Sequence, residues 1–169
     1  MTRPGTLILA ALILAACSPK SSGSANPDSH APGTTLATVP GSCSSYPAGA
    51  PGVIRTFCDG TAVVKVQVAG VDHTLNGGTC STSPVFSLNL GVVSNNQLGG
   101  PKPDYVGLTV LAPPAAGAAA GSFTNAVLAV TVDGKAYSVT RNTGTAGSTG
   151  GTFTGTARKG VAVTGSFTC

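Results

Sequence analysis

The 169-residue chain has no tryptophan, no glutamate and little charge of either sign: nine lysines and arginines, five acids that are all aspartate, and two histidines. Acid–base catalysis needs ionisable side chains brought together. Asp28, Asp59, Asp72, Asp104 and Asp133 with His30 and His73 are the whole supply. Asp28 and His30 fall in a low-complexity stretch, Asp133 is committed to a turn, and Asp72 and His73, as neighbours on a strand, point to opposite faces. A serine triad would have to recruit His73, and no GxSxG elbow occurs. His73 is therefore read as a surface or internally satisfied histidine. The chain has no CxxC and no closely spaced histidines, which excludes a zinc site of ordinary spacing. The glycine-rich Gly144–Gly151 joins two predicted strands instead of opening a helix, so it reads as a flexible loop without the helix N-terminus that cradles phosphate. No catalytic residue, metal ligand or cofactor is assigned. The cations Arg55, Lys65, Lys102, Lys135, Arg141, Arg158 and Lys159 are scattered apart from the last pair, and no aromatics interleave with them, which argues against nucleic acid.

Long apolar runs are also missing. A spanning helix needs roughly 20 apolar residues, whereas Leu7–Leu14 is far shorter and Ala115–Ala120 is shorter still. The first run carries a different signal. Arg3, the apolar run and small residues before Leu14-Ala15-Ala16-Cys17 form the three-part pattern of a secretory leader ending in a lipobox. The expectation is a signal peptide over residues 1–16 and an acylated, palmitate-bearing Cys17 on the extracytoplasmic face of the cell membrane. Residues 17–40, rich in Ser, Pro, Gly, Ala and Thr, cannot bury enough surface to offset ordering and read as a tether. Thr34, Thr35 and Thr38 between prolines are plausible glycan acceptors.

With Cys17 set aside, Cys43, Cys58, Cys80 and Cys169 make an even number in an exported chain. Two disulfides follow, in one of three connectivities, of which Cys43–Cys58 with Cys80–Cys169 is favoured.

Residues 41–169 show period-two alternation bounded by turn residues. In Ala62–Val68 the valines 64, 66 and 68 share one face and Lys65 and Gln67 the other. Further strands are expected over Val53–Phe57, Asp72–Cys80, Val85–Val93, Tyr105–Leu111, Ala126–Val132, Lys135–Thr140, Thr152–Ala157 and Val161–Thr168. Asp133-Gly134 suits a type I′ hairpin turn, and Arg158-Lys159-Gly160 makes a second hairpin connection. Pro113-Pro114 and Gly117 leave Ala112–Ala120 a loop. The fold class is all-β: an antiparallel sandwich or open barrel of about eight short strands. Its expected core is Val64, Val66, Val68, Phe86, Leu88, Leu90, Val106, Leu108, Val110, Leu128, Val130, Phe153, Val163 and Phe167.

VDHTLNGGTC (Val71–Cys80), YVGL (Tyr105–Leu108), DGKAY (Asp133–Tyr137), TGTA (Thr154–Ala157) and the closing SFTC (Ser166–Cys169), together with the lipobox and tether, give a chain that resembles the mycobacterial LpqH-type lipoprotein antigen family over roughly residues 62–169. The resemblance implies a small β-rich envelope lipoprotein, a Cys80–Cys169 pair, a surface antigen sensed by Toll-like receptors through its acyl chains, glycans in the tether of some members, and no defining enzymatic activity. Gly41–Asp59, with Cys43 and Cys58, departs from the family pattern. It reads as a disulfide-pinned cap over a sheet edge or as an added recognition loop.

Three functions are weighed. The first is a non-enzymatic, lipid-anchored envelope protein acting by contact with a glycan, lipid or protein partner, for which the hydroxyl stripe Thr152, Thr154 and Thr156 is a candidate face. The second is a lipid or glycolipid carrier with an apolar interior. The third is a hydrolase acting through His73.

Overall fold

The computed structural model describes residues 41–111 and 121–169, with side chains from Cys43 onward. The expected signal peptide, Cys17, the tether and the Ala112–Ala120 loop lie outside the described residues. Among those described, no helix is long and apolar enough to cross a membrane.

The chain runs α1 (Gly41–Ser45), β1 (Val53–Phe57), β2 (Ala62–Val68), β3 (Val71–Ser81), β4 (Phe86–Ser94), β5 (Tyr105–Val110), β6 (Gly121–Thr124), β7 (Val127–Val132), β8 (Lys135–Gly147), β9 (Gly150–Ala157), one 3₁₀ turn (Arg158–Gly160) and β10 (Ala162–Thr168). Eight strands form a ring in the order β4-β3-β2-β10-β9-β8-β7-β5, and β5 pairs back onto β4 to close it. Each of these pairings is antiparallel. The sheet is thus all-β and antiparallel as expected, and it is a closed barrel, which leaves the ring without free edges. Read in chain order the ring is β2-β3-β4-β5-β7-β8-β9-β10, and the pairing of its last strand with its first, β10 with β2, is the one that no local reading shows.

Local chemistry sets the corners. Asp133 and Gly134 carry φ of 50° and 73°, the two positive angles of the expected type I′ turn. Ala69-Gly70 repeats that geometry with φ of 52° and 85° between β2 and β3. An alanine in this position gives no turn signal, although the clean valine alternation before it fixes where the strand ends.

All fourteen expected core residues are buried. The wall made by β4, β5 and β7 supplies branched aliphatics in register: Leu88 faces Leu108, Leu108 faces Leu128, and Leu90 faces Val106. The opposite wall alternates aromatic with nothing. Across β6, β8, β9, β10 and β2 one inward row reads Phe123, Gly144, Phe153, Gly165, Val66. The next row reads Ala146, Gly151, Phe167, Val64 over β8 to β2. A Cβ at Gly144 would stand 2.7 Å from Phe123 Cζ, and one at Gly151 would stand 2.7 Å from Phe167 Cζ. The ring tips, together with the still closer carbonyl oxygens of Thr152 at Gly144 and Thr145 at Gly151, occupy the volume that side chains at these glycines would need. An eight-stranded ring is just wide enough for its own side chains, and alternation of large and absent ones fills it.

That packing corrects one expectation. Gly144–Gly151 is not a flexible loop: β8 runs through Gly147, two residues turn, and β9 starts at Gly150. Gly144 and Gly151 lie under ring tips, whereas Gly150 carries a φ of 145° where the chain turns into β9. Two short elements were not anticipated, α1 and β6. β8 pairs with β7 over residues 135–139 and with β6 over residues 143–146, and its pairing with β9 shifts register between Val139 and Arg141. Buried Asn142 bridges this change of partner, its Nδ2 donating to Ala126 O and Val139 O at 2.8 Å each.

Cys43 is bonded to Cys58 and Cys80 to Cys169, with Cα–Cα separations of 6.1 and 5.6 Å. The first pins α1 to β1. β1 pairs with β4 at residues 91–94, beyond the 87–89 stretch that β3 takes. Asn95 N donates to Gly52 O at 3.0 Å and Tyr46 hydroxyl donates to Pro101 O at 3.2 Å, so the segment lies against the β4–β5 connection. Gly41–Asp59 is accordingly a disulfide-pinned cap that prolongs the sheet beside β4.

Candidate functional site

Because successive residues on a strand face opposite sides, the registers that fill the interior also dictate the exterior. Two outward rows alternate with the inward ones. The first reads Ser122, Thr145, Thr152, Ser166, Lys65, Thr74 from β6 through β8, β9, β10 and β2 to β3. The second reads Thr124, Thr143, Thr154, Thr164, Gln67, Asp72 on the same strands. Arg141 and Thr156 stand opposite each other at the margin. Every one of these side chains is exposed except Thr145, which is half-buried. The predicted stripe of Thr152, Thr154 and Thr156 is thus one column of a hydroxyl field spanning six strands. Neighbouring strands in a sheet are about 4.8 Å apart, and Thr145 and Thr152 hydroxyls are within hydrogen-bond reach of each other at 3.2 Å.

Over β10 the field dips into an open groove of about 600 Å³, lined by Lys65, Gln67, Asp72, Thr74, Thr164 and Ser166 among others. Short Thr164, Gly165 and Ser166 lie beside the longer Lys65 and Gln67 of the adjacent β2 strand. Gln67 Nε2 donates to Asp72 Oδ1 at 2.9 Å, holding the groove's acid against a neutral amide. The polarity, apolar inside and hydroxylated outside, is the reverse of a membrane-spanning barrel, whose lipid-facing positions are apolar.

The expected opposition of Asp72 and His73 is seen: Asp72 is outward and His73 is on the inward register opposite Val66. Closure brings His73 to a residue thought to be occupied only by its turn. His73 Nε2 stands 3.8 Å from Asp133 Oδ2, a distance that permits ion pairing when the imidazole is protonated. Asp104, just before β5, joins them. Burial pushes its carboxyl above the ordinary 3.8; the Asp133 backbone N–H that it accepts works the other way, the Asp133 carboxylate adds to the rise and His73 lowers it. The three come from strand β3, the β4–β5 connection and the β7–β8 turn, which no local spacing brings together. Among the described residues no three His, Cys, Asp or Glu groups converge to hold a metal ion.

A second outward cluster lies on the other side. Phe57 and Tyr105 rings have centroids 6.3 Å apart, Arg55 stacks over Phe57 at 5.1 Å, and Tyr105 hydroxyl donates to Asn89 Oδ1 at 2.7 Å. Burial raises the Tyr105 phenol above its ordinary 10.0. The Phe57–Tyr105 contact binds the cap to the barrel. Compared with known proteins, the chain matches no family model, no curated protein and no solved structure.

Proposed function

We propose that this protein is a non-enzymatic, lipid-anchored component of the cell envelope whose barrel works by contact, with the hydroxyl field as its recognition surface. The observation that carries this reading is where the polarity lies: inward positions are taken by packed side chains, and outward positions on six strands present alcohols, two cations and one acid. A carrier of lipid needs interior space, and the aromatic rings over glycines occupy it. A hydrolase acting through His73 needs a nucleophile hydrogen-bonded to it, and among the described residues no Ser or Thr hydroxyl makes that bond, the side-chain partner of His73 being Asp133 at 3.8 Å.

Acylation at Cys17 supplies the anchor in this account. Each buried methylene contributes about 0.8 kcal/mol, and two or more chains hold where one does not. Residues 17–40 supply reach, and an extracytoplasmic setting is the one in which Cys43–Cys58 and Cys80–Cys169 persist. The likeness to LpqH-type antigens belongs to the same reading. Growth with an alkyne fatty acid tests it: the full chain is expected to take the label and sediment with membranes, and Cys17→Ala is expected to lose both. Label retained in Cys17→Ala, or an unmodified residue 17 in the membrane-bound protein, would refute the anchor.

A further inference from the structure

We infer that His73, Asp104 and Asp133 form a proton-sensitive latch that holds the β4–β5 connection against the β7–β8 turn, tight when the imidazole is protonated and slack when it is neutral. Three groups from three segments meet here. His73 Nε2 lies 3.8 Å from Asp133 Oδ2, and the Asp104 carboxylate accepts the Asp133 backbone N–H and feels the charges of both partners. The same two segments are joined again two residues away, where the backbones of Lys102 and Gly134 pair in a bridge. The connection is tied to the rest of the molecule elsewhere along its length: Asp104 O accepts Val92 N and Asn95 N donates to Gly52 O, each at 3.0 Å, and Tyr46 hydroxyl donates to Pro101 O at 3.2 Å. It therefore carries the cap, and whatever holds it to the β7–β8 turn steadies the cap as well.

Charge sets the direction. An imidazole is the side chain that changes charge between about pH 5 and 8. Protonated, it attracts both carboxylates and offsets their mutual repulsion. Neutral, it leaves Asp104 and Asp133 to repel each other across the contact between connection and turn. The hold is thus present at mildly acid pH and lost as the pH rises through neutrality. The other charged groups beside His73 are Lys65 and Asp72, which line the groove with it. Both belong to the outward rows, and Asp72 accepts from Gln67. Val66, opposite His73 on β2, brings no charge. Lys102 and Lys135 stand in the joined segments themselves and are common to both states of the latch. His73 is the better shielded partner, its side chain 15% exposed against 74% for Asp133, so the pair is open to solvent on one side and its effect is that of a surface ion pair.

The test is amide hydrogen exchange of the purified full chain at about pH 5.5 and about pH 7.5, on either side of the imidazole's change of charge, with rates corrected for intrinsic exchange. Residues 95–104, between β4 and β5, are read against β9 as an internal reference. The connection should exchange about threefold faster at the higher pH, the scale of an exposed ion pair acting on a local opening, and β9 equally at both. His73→Gln should remove the difference by leaving exchange fast at both values, and Asp104→Asn by leaving it slow at both. Asp133→Asn places a residue that tolerates the φ of 50° at that turn, and it should shrink the difference. Parent-like exchange of β9 marks a folded variant, and Asp133→Asn carries the comparison if His73→Gln does not fold. Equal exchange of residues 95–104 at both pH values in the parent chain, or a difference that persists undiminished in folded His73→Gln or Asp133→Asn, would overturn the latch.

Discussion

Replacing Gly165 by alanine probes the packing on which the barrel depends. A Cβ there would fall on Phe153 Cζ and within 2.8 Å of the Lys65 carbonyl oxygen. Overpacking a core by a methyl group costs about 1–3 kcal/mol. Alanine recovers part of this, because glycine inside a strand is less favourable by about 0.5–1 kcal/mol. Gly165→Ala should therefore lose about 1–2 kcal/mol in urea unfolding with both disulfides intact, an unchanged m value, and a midpoint temperature lower by several degrees. Phe153→Leu removes the ring tip that the new methyl would strike. In that background the same glycine substitution should cost less by about 1 kcal/mol, with the Lys65 oxygen accounting for what remains. A double-mutant cycle with coupling smaller than about 0.5 kcal/mol, the range for independent sites, would show that the ring does not cover Gly165 and would refute the aromatic-over-glycine account of the filled interior.

Asp104→Asn should raise the unfolding midpoint at pH 7. Its folded-state pKa lies above the ordinary 3.8, so the folded protein holds the proton longer and stability falls as pH rises through that interval; the advantage of the amide should shrink below it, and calorimetry at several pH values reads the trend. Asn142→Ala should cost about 2–3 kcal/mol in urea unfolding, because two buried carbonyls lose their donor. Removing Cys80–Cys169, with its separation of 89 residues, should destabilise more than removing Cys43–Cys58, with 15: about 4.6 against 3 kcal/mol from loop entropy. Equal losses in the paired serine variants would contradict that ordering.

Strands with valine alternation were legible residue by residue. β1 and β2 fall where Val53–Phe57 and Ala62–Val68 were expected. The far half of β8 was not, since Gly144 and Gly147 look like a loop until Phe123 of β6 and Phe153 of β9 are placed on either side of Gly144. The candidate face shows the same division. Thr152, Thr154 and Thr156 declare their common side through period two, but their alignment with Thr143, Thr145, Thr164 and Ser166 is a matter of register. His73 on β3 and Asp133 after β7 have β4 and β5 between their strands in the ring, so their meeting depends on how the whole sheet closes. Such closures are set by the whole ring, so pairs across the barrel leave no local trace.

The central claim is that the outward hydroxyl field makes the working contact. Retention of the full chain on isolated cell-envelope polysaccharide measures it, with Thr154→Arg placed in the field and Ser138→Arg on exposed β8 surface outside it. The account predicts retention reduced at least about tenfold by the first, the loss of one good hydrogen-bonded contact or more, and unchanged by the second. Equal retention of both variants and the parent protein would contradict it.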